Sequence, residues 1–413
     1  MFRMAAILGP GVIAAFGGND PSGIYGYSLA GAQYGYAMLW VLALVAISLG
    51  VCQEMCARMG AVTGKGLADL IREEYGVRVT MFAMSALLVA NFATTVSEFA
   101  GLTAAILVFA PVHSHWVPRL VVPLVAGGIW LLVTRGNYKR LENVLLTASL
   151  VYIAYILSAF LARPPWGEVA RQMVWPVAPG VRLDTLYVFM VINVIGTTIT
   201  PWGLFYLQSS VRDKGTRPEK YSPIDPLFGA FAAIGVAFFI MVCCGATLYK
   251  PGVTADFQDA GQVARALQPA AGSWATILFA IGLFNASCYG AITVPLSTAY
   301  AITESLGWES GVGRRIREAP LFIGVFTFLI VVSVLVVLMG GQNLLTRLIL
   351  LPNLVGGVLL PVVLVLMLRL INNRRLMGNY TNSRTYNIVA GSTTIALVAL
   401  SLTLFVRFFL AGE

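Results

Sequence analysis

The chain has 413 residues, of which 58% are hydrophobic and 11% charged, a composition that leaves a water-soluble fold too few polar groups to cover its surface. Its net charge of +9 does not point to nucleic acid, because the basic residues are spread along the chain rather than gathered on one face with aromatics. Anionic lipid headgroups are the better partner for them.

Apolar runs long enough to cross a hydrocarbon core as helix recur along the whole chain, which predicts an all-α polytopic membrane protein. Eleven spans are expected, at about 5–33 (interrupted), 36–57, 80–109, 119–134, 143–162, 184–210 (interrupted), 226–248, 273–304, 320–339, 343–370 and 387–410. They leave no room for a soluble domain, so residues 1–413 read as one transmembrane domain. The N-terminal stretch lacks a small-residue cleavage site and reads as part of the mature protein. With the N-terminus inside, 19 of the 27 Lys and Arg fall in inner segments. That bias predicts a multi-pass protein of the cell membrane with a cytoplasmic N-terminus and an extracellular C-terminus.

Span 1 breaks at Gly17-Gly18-Asn19-Asp20-Pro21-Ser22-Gly23, where Pro and Gly do not continue a helix comfortably. A carboxylate at mid-membrane depth costs at least about 2.5–3.5 kcal/mol and needs a partner. No Lys or Arg stands at comparable depth in any span, so a transient cation is the simplest counter-charge for Asp20. The competing reading is a protonated Asp20 bonded to loose backbone.

Span 3 carries a second buried acid, Glu98, in a stretch made wetter by Asn91, Thr94, Thr95 and Ser97. It reads either as a support for opened backbone or as part of the transport path. His113 and His115 follow in an external loop, where two imidazoles without an acid read as surface residues rather than a metal site. The five cysteines lie within spans and lack a CxxC pair, so they read as packing residues.

Span 6 breaks at Gly196-Thr197-Thr198-Ile199-Thr200-Pro201-Trp202-Gly203. Either break alone could be an ordinary Pro kink. Two in register five spans apart, one of them acidic, point to an inverted five-plus-five repeat with the substrate held between the breaks. Repeat one covers about 5–162, repeat two about 184–370, and the helix at about 387–410 is an addition. In span 10, Asn353 beside Pro352 could offer an amide oxygen or serve as helix–helix glue.

The two breaks supply oxygen and almost nothing else: the Asp20 carboxylate, the hydroxyls of Ser22, Thr197, Thr198 and Thr200, and released carbonyls. Oxygen donors with one carboxylate suit Mg²⁺ or Mn²⁺, whereas sulfur and imidazole would favour later transition metals. Small residues at 22, 23 and 203 leave room for an ion that keeps water. No nucleophile triad, phosphate loop or dinucleotide fingerprint occurs in a usable context, so no enzyme activity and no resident cofactor are expected. The metal would be the substrate.

In these residues the chain resembles the Nramp divalent-metal transporters. The resemblance rests on Gly9-Pro10-Gly11, Asp20-Pro21-Ser22-Gly23 and Ala30-Gly31-Ala32-Gln33-Tyr34-Gly35-Tyr36, which stand at the spacing of the family's Asp-Pro-Gly-Asn motif and its downstream Ala-Gly-Ala-Gln-Phe-Gly-Tyr. It implies that Asp20 binds the metal, that the family's asparagine falls on Gly23, and that its backbone-carbonyl ligand falls on Thr197. The family's Met-Pro-His reads here as Thr200-Pro201-Trp202. The acidic pair to which the family's proton coupling is attributed reads as Thr95 and Glu98.

This combination resembles the divergent Nramp-related magnesium transporters, in which a wider site takes hydrated Mg²⁺, and also Mn²⁺, without protons. The expectation is therefore a facilitative, alternating-access importer of divalent metal acting as a monomer in the bilayer. Its metal residues would be Asp20, Ser22, Gly23, Thr197, Thr200 and Asn353, with Glu98 and Trp202 beside the path. The rivals are a proton-coupled Mn²⁺/Fe²⁺ importer, an amino-acid or organic-cation symporter of the same architecture, and a metal receptor that does not cycle.

Overall fold

The computed structural model describes residues 8–109, 116–174, 185–252, 257, 259–340, 356 and 359–410. Among them all regular structure is helical. Within these described residues, eight helices are long and apolar enough to cross a membrane.

Span 1 forms α1 (Pro10–Gly17) and α2 (Pro21–Tyr34), and span 2 forms α3 (Leu39–Thr63). The third helix, α4 (Leu67–Phe109), begins earlier than the apolar run that predicts it. Its first turns carry Arg72, Glu73 and Glu74, which hydropathy does not count, and Gly76 at φ 77 bends them away from the membrane part. Next come α5 (Trp116–Arg135), then α6 (Tyr138–Val151) and α7 (Ile153–Leu161), which divide span 5 at Tyr152. The short α8 is Trp166–Val174.

The second break separates α9 (Thr185–Thr198) from α10 (Pro201–Asp213). It is followed by α11 (Ile224–Thr247), α12 (Ala260–Ala266), α13 (Gln268–Leu306) and α14 (Pro320–Met339). The chain ends with α15 (Leu359–Ile371), α16 (Arg374–Met377) and α17 (Arg384–Leu410).

The helices pack as two groups. The broken helices α1, α2 and α10 gather with α3 and α11, while α4, α13 and α14 pack along one another. Small residues set the closest crossings, as is usual where lipid offers no hydrophobic drive: a Cβ on Gly11 would lie 2.5 Å from Pro226 backbone, and one on Gly229 2.7 Å from Gly11 O.

Charges tie helices together both within and between these groups. The Asp225 carboxylate of α11 accepts the N–H groups of Gly9, Gly11 and Val12 at 2.7, 2.7 and 3.1 Å. It thereby satisfies donors that open the first turn of α1. Arg212, at the end of α10, lies 3.2 Å from Glu304 of α13 and 3.5 Å from Asp69 of α4. The space between the two groups, midway along the broken helices, holds the site.

Candidate metal site

At the first break, Asp20 stands as N-cap of α2 with Pro21 at its first position, the arrangement that starts a helix cleanly. Its Oδ1 accepts from Gly23 N and from Ser22 Oγ, each at 2.7 Å. The carboxyl group is buried, yet among the described residues neither it nor Glu98 has an ionic partner. Two hydrogen bonds of about 1.5–3 kcal/mol each offset part of the cost of placing such a group out of water. A cation would supply the rest.

At the second break, Thr200 is the N-cap of α10 but makes no side-chain cap bond. Thr197 is buried and its Oγ1 has no partner among the described residues, whereas Thr198 Oγ1 is committed to Tyr27 Oη at 2.7 Å and Val194 O at 2.6 Å. The two breaks meet at Gly23. A Cβ there would lie 2.8 Å from Gly18 O and 3.3 Å from both Asp20 Oδ1 and Thr197 Oγ1. With glycine, that space stays open, and the carboxylate and the free hydroxyl come within reach of one ion, directly or through water.

Asp20, Ser22, Asn91, Thr94, Thr197, Thr200 and Trp202 line one cavity, together with Gly196 and Gly356. The side-chain atoms it could offer to a metal are oxygens. Among the described residues no three His, Cys, Asp or Glu gather into a metal cluster, so one carboxylate carries the charge of the site.

The cavity measures about 20 Å³, room for about one water molecule. A roomy site expected from Ser22, Gly23 and Gly203 is therefore not what this conformation presents. Trp202 accounts for part of the difference: it is buried, and its ring tip would lie 2.7 Å from a Cβ on Gly17, so the indole fills the gap between the breaks.

Glu98 stands apart from the cavity lining. It is fully buried against Gly290 of α13, and neither oxygen is hydrogen-bonded among the described residues. One turn on, Gly101 touches Pro21, so Glu98 flanks the first break from outside. Asn353, His113 and His115 lie outside the described residues. The cysteines that can be placed are unpaired thiols inside the helices.

Three contributors carry no strong sequence signal. Asn91 lines the cavity while its amide donates to Thr298 Oγ1 at 2.8 Å. Asn19 donates to Ala233 O at 2.9 Å, and its place beside Asp20 was the one available hint. Tyr152, far away in sequence, puts its hydroxyl 3.2 Å from Phe16 O and 3.3 Å from Asn19 O.

Comparison with known proteins places this architecture. Two relatives named divalent metal cation transporter MntH align over nearly the whole chain. The one from Acidiphilium cryptum is 27% identical, over 97% of this chain and 90% of its own length. The one from Ralstonia nicotianae is 28% identical, over 94% and 88%. Among solved structures, a mutant of the manganese transporter of Eremococcus coleocola superposes with a TM-score of 0.76 at 21% identity, over 98% of this chain and 88% of its own. MhsT in complex with L-phenylalanine gives 0.62 at 14%, over 96% and 97%. The family model described as natural resistance-associated macrophage protein-like matches residues 11–407. The chain belongs to the Nramp family of membrane transporters.

Proposed function

We propose that this protein is a facilitative importer of divalent metal, Mg²⁺ first and Mn²⁺ also, working by alternating access. The observation that carries the reading is the pairing of a buried Asp20 carboxylate, which has no ionic partner among the described residues, with the unpartnered Thr197 hydroxyl across a cavity whose side-chain ligands are oxygens. Asp20 binds the ion, Thr197 and Thr200 add oxygens from the second break, and Ser22 orients the carboxylate. The relatives' names, divalent metal cation transporter and manganese transporter, support a divalent substrate. The choice of Mg²⁺ rests on the missing sulfur ligand.

Spans 1–5 and 6–10 act as inverted repeats around the site, with the Lys/Arg-rich loops and the N-terminus in the cytoplasm. An ion that keeps most of its water does not fit a cavity with room for about one; the breaks must open to admit it, which is the motion alternating access supplies. Entry is downhill, since a dication gains roughly 4.6 kcal/mol across about 100 mV.

A second reading has one observation in its favour. Glu98 is a buried carboxyl with no hydrogen-bond partner among the described residues, which suits a proton carrier in a proton-coupled Mn²⁺/Fe²⁺ importer. Uptake into proteoliposomes holding a Mg²⁺ dye, with a pH dye in parallel, separates the two. Mg²⁺ entry that needs Asp20, is slowed by Mn²⁺ and leaves lumenal pH unchanged supports the uniporter. Mn²⁺ entry with acidification and no Mg²⁺ entry overturns it.

A further inference from the structure

The first break is gripped from outside the site. Gly18, Asn19 and Asp20 stand between α1 and α2, where tighter bonds from Gly18 N to Ala15 O and from Asn19 N to Phe16 O, at 3.1 and 3.0 Å, close the last turn of α1 and leave the carbonyls that follow without an intrahelical partner. Besides its N–H, which donates to Phe16 O at 3.0 Å, Asn19 is held at two points from other helices. Its side-chain amide donates to Ala233 O of α11 at 2.9 Å, and its carbonyl lies 3.3 Å from the hydroxyl of Tyr152. That carbonyl belongs to the peptide unit whose nitrogen is that of Asp20, so whatever holds it also sets the direction in which Asp20 leaves the backbone.

Tyr152 is suited to this task. It occupies the junction between α6 and α7, is 1% exposed, and its ring lies 5.1 Å from that of Phe16. Its hydroxyl is also 3.2 Å from Phe16 O. One proton shared between these two carbonyls adds to the backbone bond from Asn19 N to Phe16 O across the Gly17–Gly18 step and is what engages the Asn19 carbonyl. Tyr289 makes an outwardly similar contact, its hydroxyl 3.2 Å from Ile13 O, but that carbonyl lies within α1 and not at the break.

We propose that Tyr152 is a positioning residue for the transported ion: by gripping the Asn19–Asp20 peptide it fixes the Asp20 carboxylate tightly enough to favour Mg²⁺ over the larger Ca²⁺. Mg²⁺ demands near-ideal octahedral geometry at about 2.0–2.1 Å, whereas Ca²⁺ accepts irregular shells at about 2.3–2.6 Å. A loosened break therefore costs Mg²⁺ more than Ca²⁺. The proposal rests on the metal-transport reading above.

The test is uptake of Mg²⁺ and Ca²⁺ into proteoliposomes by the wild type, Asp20→Ala, Tyr152→Phe and Tyr289→Phe. Tyr152→Phe raises the KM for Mg²⁺ about five- to tenfold, the size of one lost buried hydrogen bond, leaves the maximal rate within about twofold, and raises the Ca²⁺/Mg²⁺ uptake ratio; Tyr289→Phe leaves that ratio unchanged. Should Tyr152→Phe not give monodisperse protein, Asn19→Ala removes the other hold on the same peptide and carries the same expectation.

A wild-type KM and ratio in Tyr152→Phe overturn the positioning role while leaving the transport reading intact. Equal shifts in Tyr152→Phe and Tyr289→Phe overturn it as well, because the effect is then general loosening. A wild type without Asp20-dependent uptake overturns the transport reading and this inference together.

Discussion

The two helix breaks differ in how their polar groups are occupied. At the first, Asp20 Oδ1 takes two hydrogen bonds and Asn19 is held from α11 and from Tyr152. At the second, among the described residues, Thr197 Oγ1 has no partner and Thr200 caps α10 without a side-chain bond. One half of the site is built and the other waits. On the proposed reading, the rigid acid defines where the ion sits and the uncommitted oxygens of the second break gain their bonds only when the ion arrives.

Removing the rigid half is expected to have the largest effect. Asp20→Ala takes away the cavity's one charge, and ion affinity is expected to fall by about two orders of magnitude. Isothermal titration with Mn²⁺ measures this directly, and retained affinity would mean that the acid is structural.

Next in size is Gly23→Val, which places a branched side chain where the breaks meet, within 3.3 Å of Asp20 Oδ1 and Thr197 Oγ1. Overpacking of this kind costs about 1–3 kcal/mol, so uptake at low metal concentration should drop about tenfold or more. Wild-type uptake would show that the ion does not pass between these two oxygens.

Thr197→Val probes the waiting half. The near-isosteric change deletes a hydroxyl that has no partner without metal, so the metal-free protein keeps or gains thermal stability while its stabilisation by added Mn²⁺ shrinks. An equal loss in both states would sink the contrast between the breaks.

The smallest effect on the ion belongs to Thr198→Val. That hydroxyl is engaged by Tyr27 and Val194, so about 1 kcal/mol of stability is lost and the KM stays within about twofold. A larger change in KM than in Thr197→Val would reverse the assignment of the two threonines.

Much of the site was readable in the chain. The Asp20 and Thr197–Thr200 segments stand out because Pro, Gly and an acid break the rules of a membrane helix, and any structure must answer such a violation. Glu98 shows how far that logic reaches: an acid in an apolar span signals burial, but its neighbours in sequence do not say which helix it faces, and it packs on Gly290 outside the cavity lining. Tyr152 broke no rule. A tyrosine in an apolar run is ordinary packing until the fold sets Phe16 and Asn19 beside it.

The membrane-helical class, the places where the first and sixth helices open, and the oxygen chemistry between them can be read from the chain alone. These follow from hydropathy, backbone sterics and donor type, all of which act within a few residues. Which hydroxyl stays free, how Trp202 narrows a cavity of about 20 Å³, and the hold of Tyr152 and Ala233 on Asn19 appear only in the folded molecule. Those outcomes depend on packing between helices more than a hundred residues apart in the chain, where the geometry of one buried hydrogen bond is set by every helix that surrounds it.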